Sequence, residues 1–424
     1  MNTGSPDAAS EGVAQDNDVV GSEPAPAEPT LPELTLRDGL PDVIESVDAL
    51  AAYADAVSRG SGPVGLDAER ASGYRYSMRA YLVQVRREGA GTALIDPIAV
   101  PDLSVLHEAI GDAEWILHAA TQDLPCLAEV GMRPTALFDT EVAGRLLGRD
   151  RVSLAALVAG ELGYGLEKGH GATDWSARPL SIAQLRYAAL DVEALVQLRD
   201  VLREELIAAG RWDIAQQEFD HLRSFVPRDK GPDPWRRLSG MHKLTAPRQW
   251  AMARELWTAR DSIAERTDIA PGRLIPDSAI VAAVLADPSD LGSLMAAKGF
   301  SGRGAGRYRR DWWSALERAR ALPKDQWPAR AARTDGPPPP RSWPDKDPQA
   351  AARLAAVRDL VAGICEEMSI APELLLSPDL LRRLCWQPPS PIDEESIRNY
   401  LGEGGARPWQ METLVPGLVP ALRG

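Results

Sequence analysis

The run Val64-Gly65-Leu66-Asp67-Ala68-Glu69-Arg70 decides how this chain is read. Val64 and Leu66 are apolar, and the run turns acidic at Asp67 and Glu69, as at the end of a buried strand. Residues two apart in an extended chain share a face, so these carboxylates project together, about 7 Å apart along the strand. Neighbouring anions repel, and a fold holds them with a compensating cation or with raised pKa values. Magnesium and manganese suit such hard oxygen ligands. A solvated acidic loop would look the same in isolation, so further acids at matching places must settle the chemistry.

Around this run the pattern is α/β. Ser46 caps a helix over 49–59, and strands are predicted at 62–69, 80–86 and 92–96. A short helix at 103–110 and a buried strand at 114–118 follow, then a helix at 124–130 and a strand at 136–139. Helices at 141–147 and 153–162 lead to a Gly-rich loop, 163–179, which carries Lys168, His170, Asp174, Trp175 and Arg178. Ser181 and Gln184 form a capping box that opens one long helix to about 209. Strands in succession, then alternating with helices, imply a mixed sheet covered by helices.

Two more acids stand at suggestive places. Asp123 follows a buried strand in His118-Ala119-Ala120-Thr121-Gln122-Asp123-Leu124, where it could equally cap the next helix. Tyr187 and Asp191 are spaced i, i+4 and so share one helix face beside an apolar stripe.

The remaining segments divide by composition. Residues 1–35 hold acids and no base before Arg37, and are expected to be a disordered tail. An α/β domain at 36–215 is followed by a connector at 216–233 and a helical domain at 234–330. A proline-rich spacer at 331–348, semi-rigid by composition, precedes a second helical domain at 349–424. Net charge is −14, yet residues 232–330 hold 17 Lys and Arg against 11 Asp and Glu, a local excess of +6 that suits a polyanion. The three cysteines form no C-x-x-C pair, which argues against zinc and disulfides and for a reducing cytoplasm. No stretch reads as a membrane span or signal segment, and no phosphate-loop motif for a nucleotide is present.

Taken jointly, Asp67-x-Glu69, Asp123 and Tyr187-x-x-x-Asp191 resemble the DEDD exonuclease superfamily in its tyrosine-bearing branch. The stretches His118–Leu124, Thr173–Ser181 and Tyr187–Val192 are similar to the second and third motif regions of the ribonuclease D family. Residues 234–322 resemble the helicase-and-ribonuclease-D C-terminal (HRDC) domain, and the unit after Gln349 a divergent second copy. The resemblance implies an α/β plus all-α chain: a ribonuclease H-like mixed-sheet exonuclease domain followed by two small helical domains. It implies a 3′→5′ exoribonuclease that trims tRNA precursors and other structured RNA, as a cytoplasmic monomer with no nucleotide cofactor. Two divalent ions, Mg²⁺ or Mn²⁺, would be held by Asp67, Glu69, Asp123 and Asp191, with Tyr187 orienting the attacking water. Arg70 departs from the apolar residue usual after the first motif.

Candidates for RNA contact are Arg75, Arg79, Trp175 and Arg178 near the acids, and Lys298, Arg303, Arg307, Arg309 and Arg310 in a Gly-rich basic turn. Trp175 could instead be a hydrophobic plug, and the other tryptophans read as core. Preference for RNA over DNA rests on the resemblance alone, and a non-catalytic nucleic-acid-binding scaffold is the rival from another class.

Overall fold

The computed structural model describes residues 31–423 apart from 168, 170, 172, 228, 230 and 330–335. Most of the expected acidic tail, Lys168, His170 and the start of the expected spacer thus lie outside the described residues. The first domain runs β1 (Val43–Ile44), α1 (Val47–Ser58), β2 (Ser61–Arg70), β3 (Ala80–Glu88), β4 (Gly91–Ile95) and α2 (Ser104–Ile110). It continues with β5 (Glu114–Leu117), α3 (Leu124–Glu129), β6 (Ala136–Asp139), α4 (Thr140–Leu146) and α5 (Leu154–Leu157). Helices α6 (Ile182–Glu193), α7 (Leu195–Ala208) and α8 (Trp212–Arg223) complete it.

The strands form one mixed sheet in the order β1-β4-β3-β2-β5-β6, with β2 and β4 antiparallel to β3 and the other pairs parallel. Alternation along β2 sends Val64, Leu66 and Ala68 into a core shared with Leu106 and Leu127, while Asp67 and Glu69 take the other face. On that other face Gly65 lets the α6–α7 junction close in. A Cβ at Gly65 would stand 3.3 Å from Leu195 Cβ and 3.4 Å from the Val192 carbonyl.

One predicted helix is two. The expected single helix from Ser181 to about 209 is interrupted at Ala194, between α6 and α7. Beside the break, Arg37 Nη2 donates to the Glu193 carbonyl at 3.2 Å and Nε to its carboxylate at 2.7 Å. A carbonyl that accepts from a guanidinium has a partner outside the helical ladder, and the helix is interrupted there. Edge strand β1 was also absent from the sequence reading; at two residues it is too short to leave a periodic signal.

The first helical unit comprises α9 (Pro247–Thr267), α10 (Pro271–Leu274), α11 (Asp277–Ala286), α12 (Leu291–Ala296), α13 (Arg303–Arg307) and α14 (Arg309–Ala321). Its core includes Leu256, Ile280, Trp312 and Leu316. The second comprises α15 (Trp343–Lys346), α16 (Pro348–Met368), α17 (Pro372–Leu375), α18 (Pro378–Trp386), α19 (Glu394–Glu403) and α20 (Pro408–Arg423). The proline-rich stretch expected as a spacer belongs to this unit from its middle onward. Trp343 is fully buried in the second core, and its indole N–H donates to the Pro338 carbonyl at 2.7 Å. One buried tryptophan supplies enough apolar area to fix a segment whose prolines cannot make a helix ladder. Among the described residues no helix is long and apolar enough to cross a membrane.

Candidate active site

Three elements deliver the acids. β2 presents Asp67 and Glu69 on one face, α6 crosses that face with Asp191, and the turn after β5 brings in Asp123. One carboxylate oxygen each from Asp67, Glu69 and Asp191 lies within 4.8 Å of the others. Asp123 stands apart from that trio but lines the same 260 Å³ cavity, together with Tyr187, Arg70, Gln122 and His118. Although Asp123 occupies the cap position of α3, its side chain makes no cap bond, so the alternative reading of it as a helix cap does not hold.

Crowding these acids in a buried pocket raises their proton affinity. Glu69 is pushed up to about 10 by burial and then by the charges of Asp67, Asp191 and Asp123. Burial lifts Asp67 to about 6, against the Ala68 N–H and the Arg70 charge, which pull it down. Asp123 and Asp191 are raised well above the usual carboxylate range, by burial first and by Asp67 next. An all-oxygen set of this kind fits a hard divalent cation, whose charge would relieve the mutual repulsion. Asp67, Glu69 and Asp191 could hold one ion, and Asp123 with Asp67 borders room for more. Tyr187 hydrogen-bonds to Asp191, and burial plus the carboxylates raise its phenol above the ordinary value.

A residue missed from sequence holds the second motif in shape. Asp139, at the end of β6, accepts from the Ala119 N–H at 3.3 Å and the Ala120 N–H at 2.7 Å, and it caps α4 through Glu141 and Val142. The signal was an Asp between a strand and a helix, which the pattern reading passed over. His118, whose Nδ1 lies 2.9 Å from Thr140 Oγ1, is driven down to about 4 by burial and stays neutral.

Several expected RNA contacts have partners within the protein. Trp175 is fully buried and packs beside Tyr187 at 6.4 Å between ring centroids, so of its two readings it is the plug. Arg178 spends its donors on Asp96 and on the carbonyls of Tyr81, Trp175 and Ala177. Arg75 donates to Ser176 at 2.7 Å, and Arg79 pairs with Asp268 at 3.7 Å; neither lines the cavity. Lys298, Arg303, Arg307, Arg309 and Arg310 are exposed on the first helical unit, and their expected turn contains the short helix α13. Arg310 shares a groove between α9 and α14 with Arg266 and Arg318. Those last two went unnoticed because they sit in helices of mixed charge.

Family models match in the same divisions: "3'-5' exonuclease" over residues 41–207, "HRDC domain" over 249–316 and "3' to 5' exonuclease C-terminal domain" over 336–422. Ribonuclease D of Gluconacetobacter diazotrophicus is 31% identical, over 84% of this chain and 89% of the relative. Ribonuclease D of Escherichia coli K12 is 29% identical over 79% and 87%. A solved protein from Bifidobacterium adolescentis superposes with a TM-score of 0.85 at 36% identity, covering 93% of this chain and 100% of its own. The structure of Escherichia coli RNase D, described as an exoribonuclease involved in structured RNA processing, superposes at 0.61 with 26% identity over 85% and 98%. Motifs, sheet topology, helical appendages and these likenesses agree, and the chain belongs to the ribonuclease D family.

Proposed function

We propose that this 3′→5′ exoribonuclease cuts at the cavity formed by Asp67, Glu69, Asp123, Tyr187 and Asp191, using two divalent ions, Mg²⁺ or Mn²⁺. The convergence of three carboxylates within 4.8 Å carries the reading. Bound divalent ions neutralise the scissile phosphate and acidify the attacking water. The protein's own groups do the rest. Tyr187 keeps its proton at neutral pH, because burial and its acidic neighbours raise the phenol, so it positions water as a hydrogen-bonding group and not as a base. Water adds to phosphorus as the bond to the 3′ oxygen of the preceding nucleotide breaks. The products are a nucleoside 5′-monophosphate and an RNA one residue shorter with a free 3′ hydroxyl.

The substrates we infer are tRNA precursors and other structured RNAs with single-stranded 3′ ends. The structured-RNA role described for the Escherichia coli relative supports this. Arg310 in the α9–α14 groove, where Arg266 pairs with Asp311 and Arg318 with Glu255, and exposed Arg303, Arg307 and Arg309 nearby in the chain form a basic surface suited to the RNA body. Three buried free thiols are compatible with work in a reducing cytoplasm.

Digestion of 3′- and 5′-labelled RNA with magnesium, manganese or chelator tests the reading. Single-nucleotide release from the 3′ end, abolished by chelator, is the expected result. Asp67→Asn should lower the rate by roughly 10³-fold or more while leaving RNA binding intact; an active Asp67→Asn enzyme overturns the site.

A further inference from the structure

Arg70 ends β2 one residue past Glu69, where the pairing slips so that it faces Ala80. It lines the acid cavity rather than reaching into bulk water, and its side chain is 21% exposed. Its Nη2 donates to Gln122 Oε1 at 3.2 Å and stands 3.9 Å from Asp123 Oδ1. Its Nε is buried and has no hydrogen-bond partner among the described residues.

A guanidinium carries five N–H donors in a rigid planar fork shaped for carboxylate or phosphate. Arg178, on the same domain, shows how an arginine kept for structure behaves: its fork meets Asp96 and three carbonyls. Among the described residues Arg70 makes one hydrogen bond and one long ion pair, and it does so beside the reacting centre. The buried Nε is closed off from the cavity, but the Nη groups of the side chain on the cavity wall keep N–H donors beyond the bond to Gln122, and a ligand that fills the cavity can accept from them. In an RNA 3′ end threaded into this cavity, the fork-shaped anion is the phosphodiester between the acids.

We propose that Arg70 is a catalytic residue that donates from its guanidinium to a non-bridging oxygen of the scissile phosphodiester on the Asp123 side. The bond strengthens as water adds and negative charge grows on those oxygens, so the contact favours the transition state over the bound substrate. This rests on the assignment of the acids as the cutting site. A hydrogen bond to the terminal nucleobase is the competing role.

Single-turnover cleavage of a 5′-labelled oligoribonucleotide in magnesium distinguishes them, in the full-length chain. Arg70→Gln should slow cleavage by roughly 100-fold, the loss typical of one preorganised donor, with RNA affinity changed less than about threefold. Arg70→Lys should fall between the two, millimolar guanidinium should restore part of the rate of Arg70→Ala, and the loss of rate across the three variants should not track their melting temperatures. Binding of AMP, a product-shaped probe, should weaken by about tenfold in Arg70→Gln. Wild-type cleavage by Arg70→Gln overturns the proposal while Asp67→Asn is inactive. So does a defect confined to affinity that varies with the terminal base, or one that tracks lost melting temperature and is not rescued by guanidinium. An active Asp67→Asn would instead bring down the site assignment beneath it.

Discussion

The two helical units share a corner and use it differently. Each contains a 21-residue helix, α9 or α16, that starts with proline and ends at a residue in the left-handed region, Asp268 at φ 48° or Ser369 at φ 50°. Ile-Ala-Pro follows in both, then a four-residue helix, α10 or α17. In the first unit this corner grips the segment just downstream of Arg70. Asp268 accepts from the Ser77 N–H at 2.8 Å and the Tyr81 hydroxyl at 3.2 Å, and the Ala270 N–H donates to the Tyr74 carbonyl at 3.0 Å. Arg273 adds a bond to the Gly73 carbonyl at 2.8 Å and lies 3.8 Å above the Tyr74 ring. In the second unit the corner meets the scaffold: Arg211 donates to the Met368 carbonyl, and Ser369 presses on Gly148. Neither Gly148 nor Arg211 lines the cavity. One corner therefore holds the segment that continues from the acid-bearing strand β2, and its counterpart holds the body of the domain.

Removing each core is the harshest way to test that difference. Trp312→Ala and Trp343→Ala, both fully buried, should each cost about 3–5 kcal/mol of their unit's stability in chemical denaturation. Cleavage of a short single-stranded RNA should fall in the first variant and persist in the second; equal losses would erase the distinction. The corners themselves allow a gentler comparison. Asp268→Ala strips the partner from a backbone N–H and a phenol and should cost about 1–3 kcal/mol, with a several-fold fall in kcat. Gly148→Ala places a Cβ 2.4 Å from the Ser369 carbonyl at a φ of +72°, and should cost about 1–3 kcal/mol with kcat unchanged.

The smallest effect concerns protons. Glu69, ordinarily near 4.5, titrates near 10 in the fold, because burial and then Asp67, Asp191 and Asp123 disfavour its charge. Between those values the folded chain holds a proton that the unfolded chain releases, so this group's contribution to stability declines as pH rises through the window. A cation entering the cluster displaces that proton. Magnesium should therefore raise the melting temperature more at pH 8 than at pH 6, and calorimetry in buffers of different ionisation heat should register proton release. A pH-independent gain in melting temperature would contradict the crowding described.

The parts of this architecture that repeat along the chain were legible from residues alone. The period of two along β2 put Asp67 and Glu69 on one face, the i, i+4 step joined Tyr187 to Asp191, and the Ser181–Gln184 box marked where α6 begins. What escaped depends on partners far away in sequence. The break at Ala194 is tied to Arg37, the burial of Trp343 to a core that reaches as far along the chain as Leu422, and the saturation of Arg178 to Asp96 and Tyr81. The duty of Asp139 likewise shows only once Ala119 and Ala120 are folded against it.

Gly65 carries no chemistry, yet it sets how near the α6–α7 junction can come to the sheet. The gap between β2 and that junction is thus entrusted to a missing methyl. A single extra carbon there would leave every reactive group intact and still prise the machinery apart by a few tenths of an ångström.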